Sequence, residues 1–163
     1  RIVLGGVPLQ RVVELLCAVS EIGRELPGRL NLGLVEALKR MVEEAVGVSK
    51  PKELASLLGA LVRLRIEPRS SLMDEVRRRA QQTMGEFAPG HVSELMRGFS
   101  LLKQPLEPIL LGYLQVRAEA TAGAFSADEV GTMLRSLASM RERVGGTLLD
   151  ALRRRVVSLG HRP

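Results

Sequence analysis

Ser56-Leu57-Leu58-Gly59-Ala60-Leu61-Val62-Arg63-Leu64 returns as Glu94-Leu95-Met96-Arg97-Gly98-Phe99-Ser100-Leu101-Leu102, and again as Thr132-Met133-Leu134-Arg135-Ser136-Leu137-Ala138-Ser139-Met140. Leu57, Leu95 and Met133 therefore stand at one constant interval. An earlier copy, Glu14-Leu15-Leu16-Cys17-Ala18-Val19-Ser20-Glu21-Ile22, lies four positions further back than that interval would place it. Self-similarity at a fixed period of this size is the signature of a repeat architecture, and it governs the reading of the rest of the chain.

A second element follows each copy at the same interval. Leu34, Leu72, Leu110 and Leu148 form one column; Leu38, Val76, Leu114 and Leu152 the next; Val42, Ala80, Ala118 and Val156 the third. A spacing of four between columns is the buried stripe of an α-helix. The first repeat carries four extra residues between its two elements, around Leu26-Pro27-Gly28-Arg29. Pro51 and Pro89 stand where a first helical turn tolerates proline, and Ser126-Ala127-Asp128-Glu129 reads as a capping box. Pro68, Pro108 and Gly145-Gly146 fall between the two helices of their repeats, while Gly47, Gly85 and Gly123 mark the ends of second helices. The pattern predicts an all-α protein: one α-solenoid domain over 1–163, with four helix-turn-helix repeats at about 8–49, 50–87, 88–125 and 126–163. The alternative, an irregular helical bundle, does not explain a register kept over three intervals.

Composition agrees. Apolar residues make up 45% of the 163 and charged residues 26%, the balance of a folded domain with a core. Aromatics are only 2% (Phe87, Phe99, Phe125 and Tyr113), which argues against recognition by base stacking on an aromatic sheet. No apolar run approaches the ~18 residues needed to cross a bilayer, so no membrane partner is expected. The single Cys17 excludes an internal disulfide or a multi-cysteine metal site, and His91 and His161 lack metal-pair spacing. Because it opens on Arg1 and not Met, the sequence reads as a processed chain or part of a longer one.

Phe87 and Phe125 each stand just before the first helix of a repeat. The run Phe125-Ser126-Ala127-Asp128-Glu129-Val130, continuing through Met133-Leu134 and Leu137-Ala138, resembles an octotricopeptide or heptatricopeptide repeat, the ~38-residue paired-helix repeat also found ahead of RAP domains. The resemblance covers roughly residues 8–163. The first repeat departs from it in its longer loop and in lacking the leading Phe, and no RAP-type domain is present. The resemblance implies RNA binding in mitochondria (alternatively plastids), often within a ribosome or RNA-processing complex.

Net charge is +6, supplied almost entirely by arginine, whose planar fork suits phosphate better than lysine does. Arginine-favouring codons in a GC-rich genome would produce the same bias. In the second helices Lys39, Arg77, Gln115 and Arg153 share a column; Arg40, Arg78, Val116 and Arg154 the next; Met41, Arg79, Arg117 and Arg155 a third. With Leu72 at zero on a helical wheel, Arg78 points about 240° away and Arg79 returns to about 340°, its stem along the core edge and its head emerging. Lys39, Arg40, Arg77, Arg78, Arg79, Arg117, Arg153, Arg154 and Arg155 are therefore the candidate RNA-phosphate contacts. A solvated face with arginines complementing helix dipoles is the plainer alternative.

The third repeat differs. Charge is +1 over 1–50, +2 over 51–87, 0 over 88–125 and +3 over 126–163. Its second helix is apolar where the others carry arginine, so Ile109, Leu111, Tyr113 and Val116 are expected to form a protein-binding patch, unless another segment covers it. His91 reads as a capping or surface residue, and Cys17 has no evident base. No nucleophile–base pair, phosphate-binding glycine loop or carboxylate metal cluster is present, so neither catalysis, cofactor, metal nor small-molecule substrate is expected. Two function classes remain: an RNA-binding component of an organellar ribonucleoprotein, or a protein-interaction scaffold with no RNA contact.

Overall fold

The computed structural model describes residues 9–25, 32–140 and 146–160. Its described residues form eight α-helices and no strand: α1 Leu9–Glu25, α2 Leu32–Val46, α3 Pro51–Leu64, α4 Ser70–Thr83, α5 Pro89–Leu101, α6 Glu107–Ala120, α7 Ala127–Met140 and α8 Gly146–Gly160. Short 3-10 turns at Met84–Glu86 and Ala122–Ala124 follow α4 and α6. The protein is all-α. The expected longer loop around Leu26–Arg29, the glycine at 145 and the tail containing His161 lie outside the described residues.

The helices fall into two compact bodies, 1–79 and 80–163, the division lying within α4. In the first, α1 packs on α2 and α3. Val12, Val42, Leu54, Leu57, Leu58, Leu61 and Val76 are buried there. In the second, α5 packs on α7 and α6 on α8, with α5–α6 and α7–α8 as hairpins. Its buried residues include Phe87, Phe99, Leu110, Leu114, Phe125, Met133, Leu148 and Leu152.

The entries to α3, α5 and α7 share one local solution. Each begins after an extended or capping residue at 50, 88 or 126, and the side chain three positions on accepts the backbone N–H of that residue. Glu53 accepts from Lys50 at 3.0 Å, His91 Nδ1 from Ala88 at 3.1 Å and Glu129 from Ser126 at 2.8 Å. Ser126 Oγ in turn accepts the Glu129 N–H at 3.1 Å, completing the capping box expected from sequence. Pro51 and Pro89 occupy the first helical position, where an absent N–H costs nothing. His91 is thus a cap, its ring edge-on to Phe87 with centroids 6.3 Å apart.

The helix exits are shared too. Arg65 (φ 56) and Lys103 (φ 55) end α3 and α5 in the left-handed region. Behind each, the next N–H closes a six-residue loop: Ile66 to the Leu61 carbonyl at 3.0 Å and Gln104 to the Phe99 carbonyl at 2.9 Å. This is the Schellman pattern, here on residues that carry a Cβ instead of glycine. One expectation is corrected. Val156, placed with Val42, Ala80 and Ala118 in a buried column, is half-exposed, whereas the other three are buried.

Candidate nucleic-acid interface

The arginine triplets of α4 and α8 and Arg117 of α6 were expected to offer their heads to phosphate. The structure gives their members different partners. Arg79 Nε donates to the Ser49 carbonyl at 2.8 Å, Arg117 Nε to the Phe87 carbonyl at 2.8 Å and Arg155 Nε to the Phe125 carbonyl at 2.7 Å. Donors and acceptors both recur at the repeat interval. Every bond ties the second helix of a pair to the chain segment entering the first, closing the hairpin. These three arginines clamp their hairpins through Nε, with the side chains half-buried. Their place on the helical wheel, beside the buried leucine stripe, explains it: the stem runs along the core edge and brings Nε to a carbonyl at the helix entrance.

Arg77 is buried at 7% exposure and its Nη1 bonds Asp74 at 2.9 Å, so it does not present an open head. Arg78 makes two bonds to Glu75, Nε to Oε1 at 3.2 Å and Nη2 to Oε2 at 2.6 Å. That hydrogen bonding, helped by the arginine's charge and only partly opposed by desolvation, holds the Glu75 carboxyl below the ordinary glutamate range. Lys39 lies 3.8 Å from Glu36. Among the described residues no ion pair engages Arg40, Arg153 or Arg154, all exposed.

Their surroundings separate these three. Arg40 shares an open hollow with Glu43, Glu44, Asp74 and Glu75, whose carboxylates oppose an anion. Arg154 and Arg155 border another hollow, of about 470 Å³, with Thr147, Ser158 and Glu119. Glu119 accepts the Thr147 hydroxyl at 2.7 Å, which leaves two arginines against one hydrogen-bonded carboxylate. Arg153 and Arg154 thus stand exposed on α8, Arg154 beside a hollow whose carboxylate, Glu119, is already hydrogen-bonded.

On α6, Ile109, Tyr113 and Val116 are exposed as expected, from about half to two-thirds of their surface. Leu111 is not part of that face; it is buried, since it turns toward the flank that Met73 occupies one repeat earlier. Cys17 is half-buried, with Arg63 Nη2 3.8 Å from its sulfur. No group of three or more His, Cys, Asp or Glu side chains among the described residues could hold a metal, and no described helix is long and apolar enough to cross a membrane.

Sequence reasoning missed Arg69. Its Nη1 bonds Glu36 at 2.7 Å and its Nη2 lies 3.5 Å from Glu43, tying the start of α4 to α2. The signal was available, because Glu36 and Glu43 stand two turns apart on one face of α2. The clamps were also legible in principle, since Ser49, Phe87 and Phe125 recur at the interval of Arg79, Arg117 and Arg155. The sequence matches no protein-family model, and no curated protein is significantly similar to it.

Proposed function

We propose that this chain is a helical-repeat RNA-binding protein of the α-solenoid kind, resembling the octotricopeptide and heptatricopeptide proteins. In this reading it serves an organellar, first of all mitochondrial, ribonucleoprotein as a structural or assembly component without chemistry of its own. The observation that carries the reading is the pair of exposed guanidiniums, Arg153 and Arg154, on α8, of which Arg154 borders an open hollow of about 470 Å³. Exposed arginines with no ion pair among the described residues have their bidentate fork available for phosphate, where each contact releases condensed counterions. The recurrence of caps, exits and clamps at one constant interval supports the repeat architecture.

The test is the salt dependence of single-stranded RNA binding by the full chain. Arg153→Ala and Arg154→Ala should each weaken binding across unrelated sequences and flatten the log–log salt slope by about 0.7. Arg40→Ala, in its acidic hollow, should change the slope little. An unchanged affinity and slope in the Arg153→Ala/Arg154→Ala double variant refutes the RNA track.

A protein-interaction scaffold is the second reading, favoured by the exposed Ile109, Tyr113 and Val116 of α6, where Val116 takes the column of Arg78 and Arg154. In that reading Ile109→Glu with Val116→Glu should stay folded and fail to enter the complex, and the wild-type chain should show no salt-dependent RNA binding.

A further inference from the structure

Two hydroxyl–carboxylate bonds recur between second helices, two repeat intervals apart. Ser71 Oγ of α4 donates to Glu43 of α2 at 2.7 Å, and Thr147 Oγ1 of α8 donates to Glu119 Oε1 of α6 at 2.7 Å. Each bond lies in an open hollow, and the two hollows carry opposite chemistry. Around Ser71 stand Glu43, Glu44, Asp74 and Glu75. Around Thr147 stand Ala151, Arg154 and Arg155, with Glu119 the one lining carboxylate among the described residues. The sequence explains the difference. Glu75, which engages Arg78 in two hydrogen bonds, is replaced by Ala151 in the turn before Arg154, and Glu44 is replaced by Ala120. Asp150, the counterpart of Asp74, is exposed on α8 but does not line the hollow.

A carboxylate beside two guanidiniums weakens their hold on a bare phosphate, since it repels the anion. It helps with a ligand that carries a hydroxyl next to its anion. Glu119 Oε1 takes the Thr147 hydroxyl, which fixes the carboxylate, and Oε2 makes no hydrogen bond among the described residues. An ionised carboxylate only accepts, and hydroxyl donors make strong charge-assisted bonds to it. There is room for more than a phosphate: about 470 Å³ lies within the range of about 300–1,000 Å³ usual for small-ligand sites. Ala151 is buried, and a Cβ added to Gly123 on the hollow's rim would meet nothing within 4 Å. In a ribonucleotide the 2′-hydroxyl neighbours the 3′-phosphate, whereas a deoxyribonucleotide has no hydroxyl there.

We infer that this hollow reads the ribose: Arg154 and Arg155 hold a backbone phosphate while Glu119, positioned by Thr147, accepts the adjacent 2′-hydroxyl, so that the chain prefers RNA to DNA. Arg155, whose Nε is taken by the Phe125 carbonyl, contributes its Nη atoms. The inference rests on the RNA reading above and adds to it the atom by which RNA is told from DNA.

Fluorescence anisotropy of the full chain with an unstructured oligouridine, its 2′-deoxy counterpart and its 2′-O-methyl counterpart tests it. Wild type should bind the first about tenfold more tightly than either of the others, the effect of one hydrogen bond to a charged group. Glu119→Ala should erase that preference by weakening RNA binding alone, and Glu119→Gln, which keeps an acceptor oxygen, should retain part of it. Arg154→Ala should weaken all three ligands alike. Should Glu119→Ala lose helicity, Gly123→Leu fills the hollow from its open rim and should remove the preference with Glu119 in place. Equal binding of the three ligands by wild type, or a Glu119→Ala chain that gains affinity for all three and keeps the preference, overturns the inference and leaves the RNA reading standing. Absent or salt-independent binding of all three refutes the RNA reading itself, and the inference with it.

Discussion

Replacing Arg117 by Met removes the charged head that closes the α5–α6 pair while keeping most of the apolar stem. The head donates Nε to the Phe87 carbonyl at 2.8 Å from a half-buried position. A hydrogen bond to a charged group contributes about 1.5–3 kcal/mol, and partial exposure of this one places it near the lower end, at about 1–2 kcal/mol. The stem's packing is retained in Met, so little is lost from burial. In a chain of this size each kcal/mol corresponds to about 2–4 °C in Tm, which gives an expected fall of roughly 3–6 °C. Urea denaturation followed by circular dichroism should show a lower midpoint with an unchanged slope. Arg154→Met is the control on a neighbouring second helix. Its head is exposed and without an ion pair among the described residues, so its stability should stay within about 0.5 kcal/mol of wild type. Arg79→Met and Arg155→Met should repeat the Arg117 effect, since their Nε atoms make the same bond to Ser49 and Phe125. If Arg117→Met and Arg154→Met are equally stable, and Arg117→Met instead loses RNA affinity, the clamp assignment is wrong and the sequence-based assignment of that arginine to phosphate is upheld.

Val76→Asp, Leu114→Asp or Leu152→Asp puts an unpaired charge at a fully buried position and should cost more than about 4 kcal/mol, visible as lost helicity at room temperature. Arg65→Gly and Lys103→Gly relieve a left-handed backbone at the ends of α3 and α5, and each should raise the urea midpoint by an amount corresponding to at most about 1 kcal/mol. Glu75 should titrate below the usual glutamate value of about 4.3 by NMR, and Arg78→Met should return it there. Because the folded value is depressed, the contribution of Glu75 is present above the ordinary glutamate range and is lost as pH falls through the lower folded value. The stability gap between wild type and Arg78→Met should therefore close on the acid side and persist at neutral pH.

Much of the architecture was legible because it is local. Whether Pro51 can open a helix, or Glu129 can reach the Ser126 N–H, depends on residues three or four apart, and those distances are set by helical geometry alone. The leucine columns at 72, 110 and 148 and at 76, 114 and 152 were readable for the same reason: a stripe repeated every fourth residue has only one face to bury. The candidate site was legible in part. The helical wheel placed the Arg79 stem along the core edge, but not the carbonyl of Ser49 thirty residues earlier, which makes that arginine a clamp. Ile109, Tyr113 and Val116 are exposed where the pattern put them, while Leu111 is buried because exposure at a stripe's edge depends on the neighbouring helix.

By itself, then, the sequence determined the helices, their ends and the stripes they bury, because capping and amphipathicity act within a few residues along one chain. Only the tertiary structure decided which arginine heads remain open and which leucine columns stay covered. A guanidinium takes whichever carbonyl or carboxylate the fold brings within about 3 Å, so Arg79, Arg117 and Arg155 close hairpins while Arg153 and Arg154 stay exposed. Burial along a column likewise depends on the neighbouring helices, so Met96 and Ala118 are covered while Leu134 and Val156, with the same periodicity, are half-exposed.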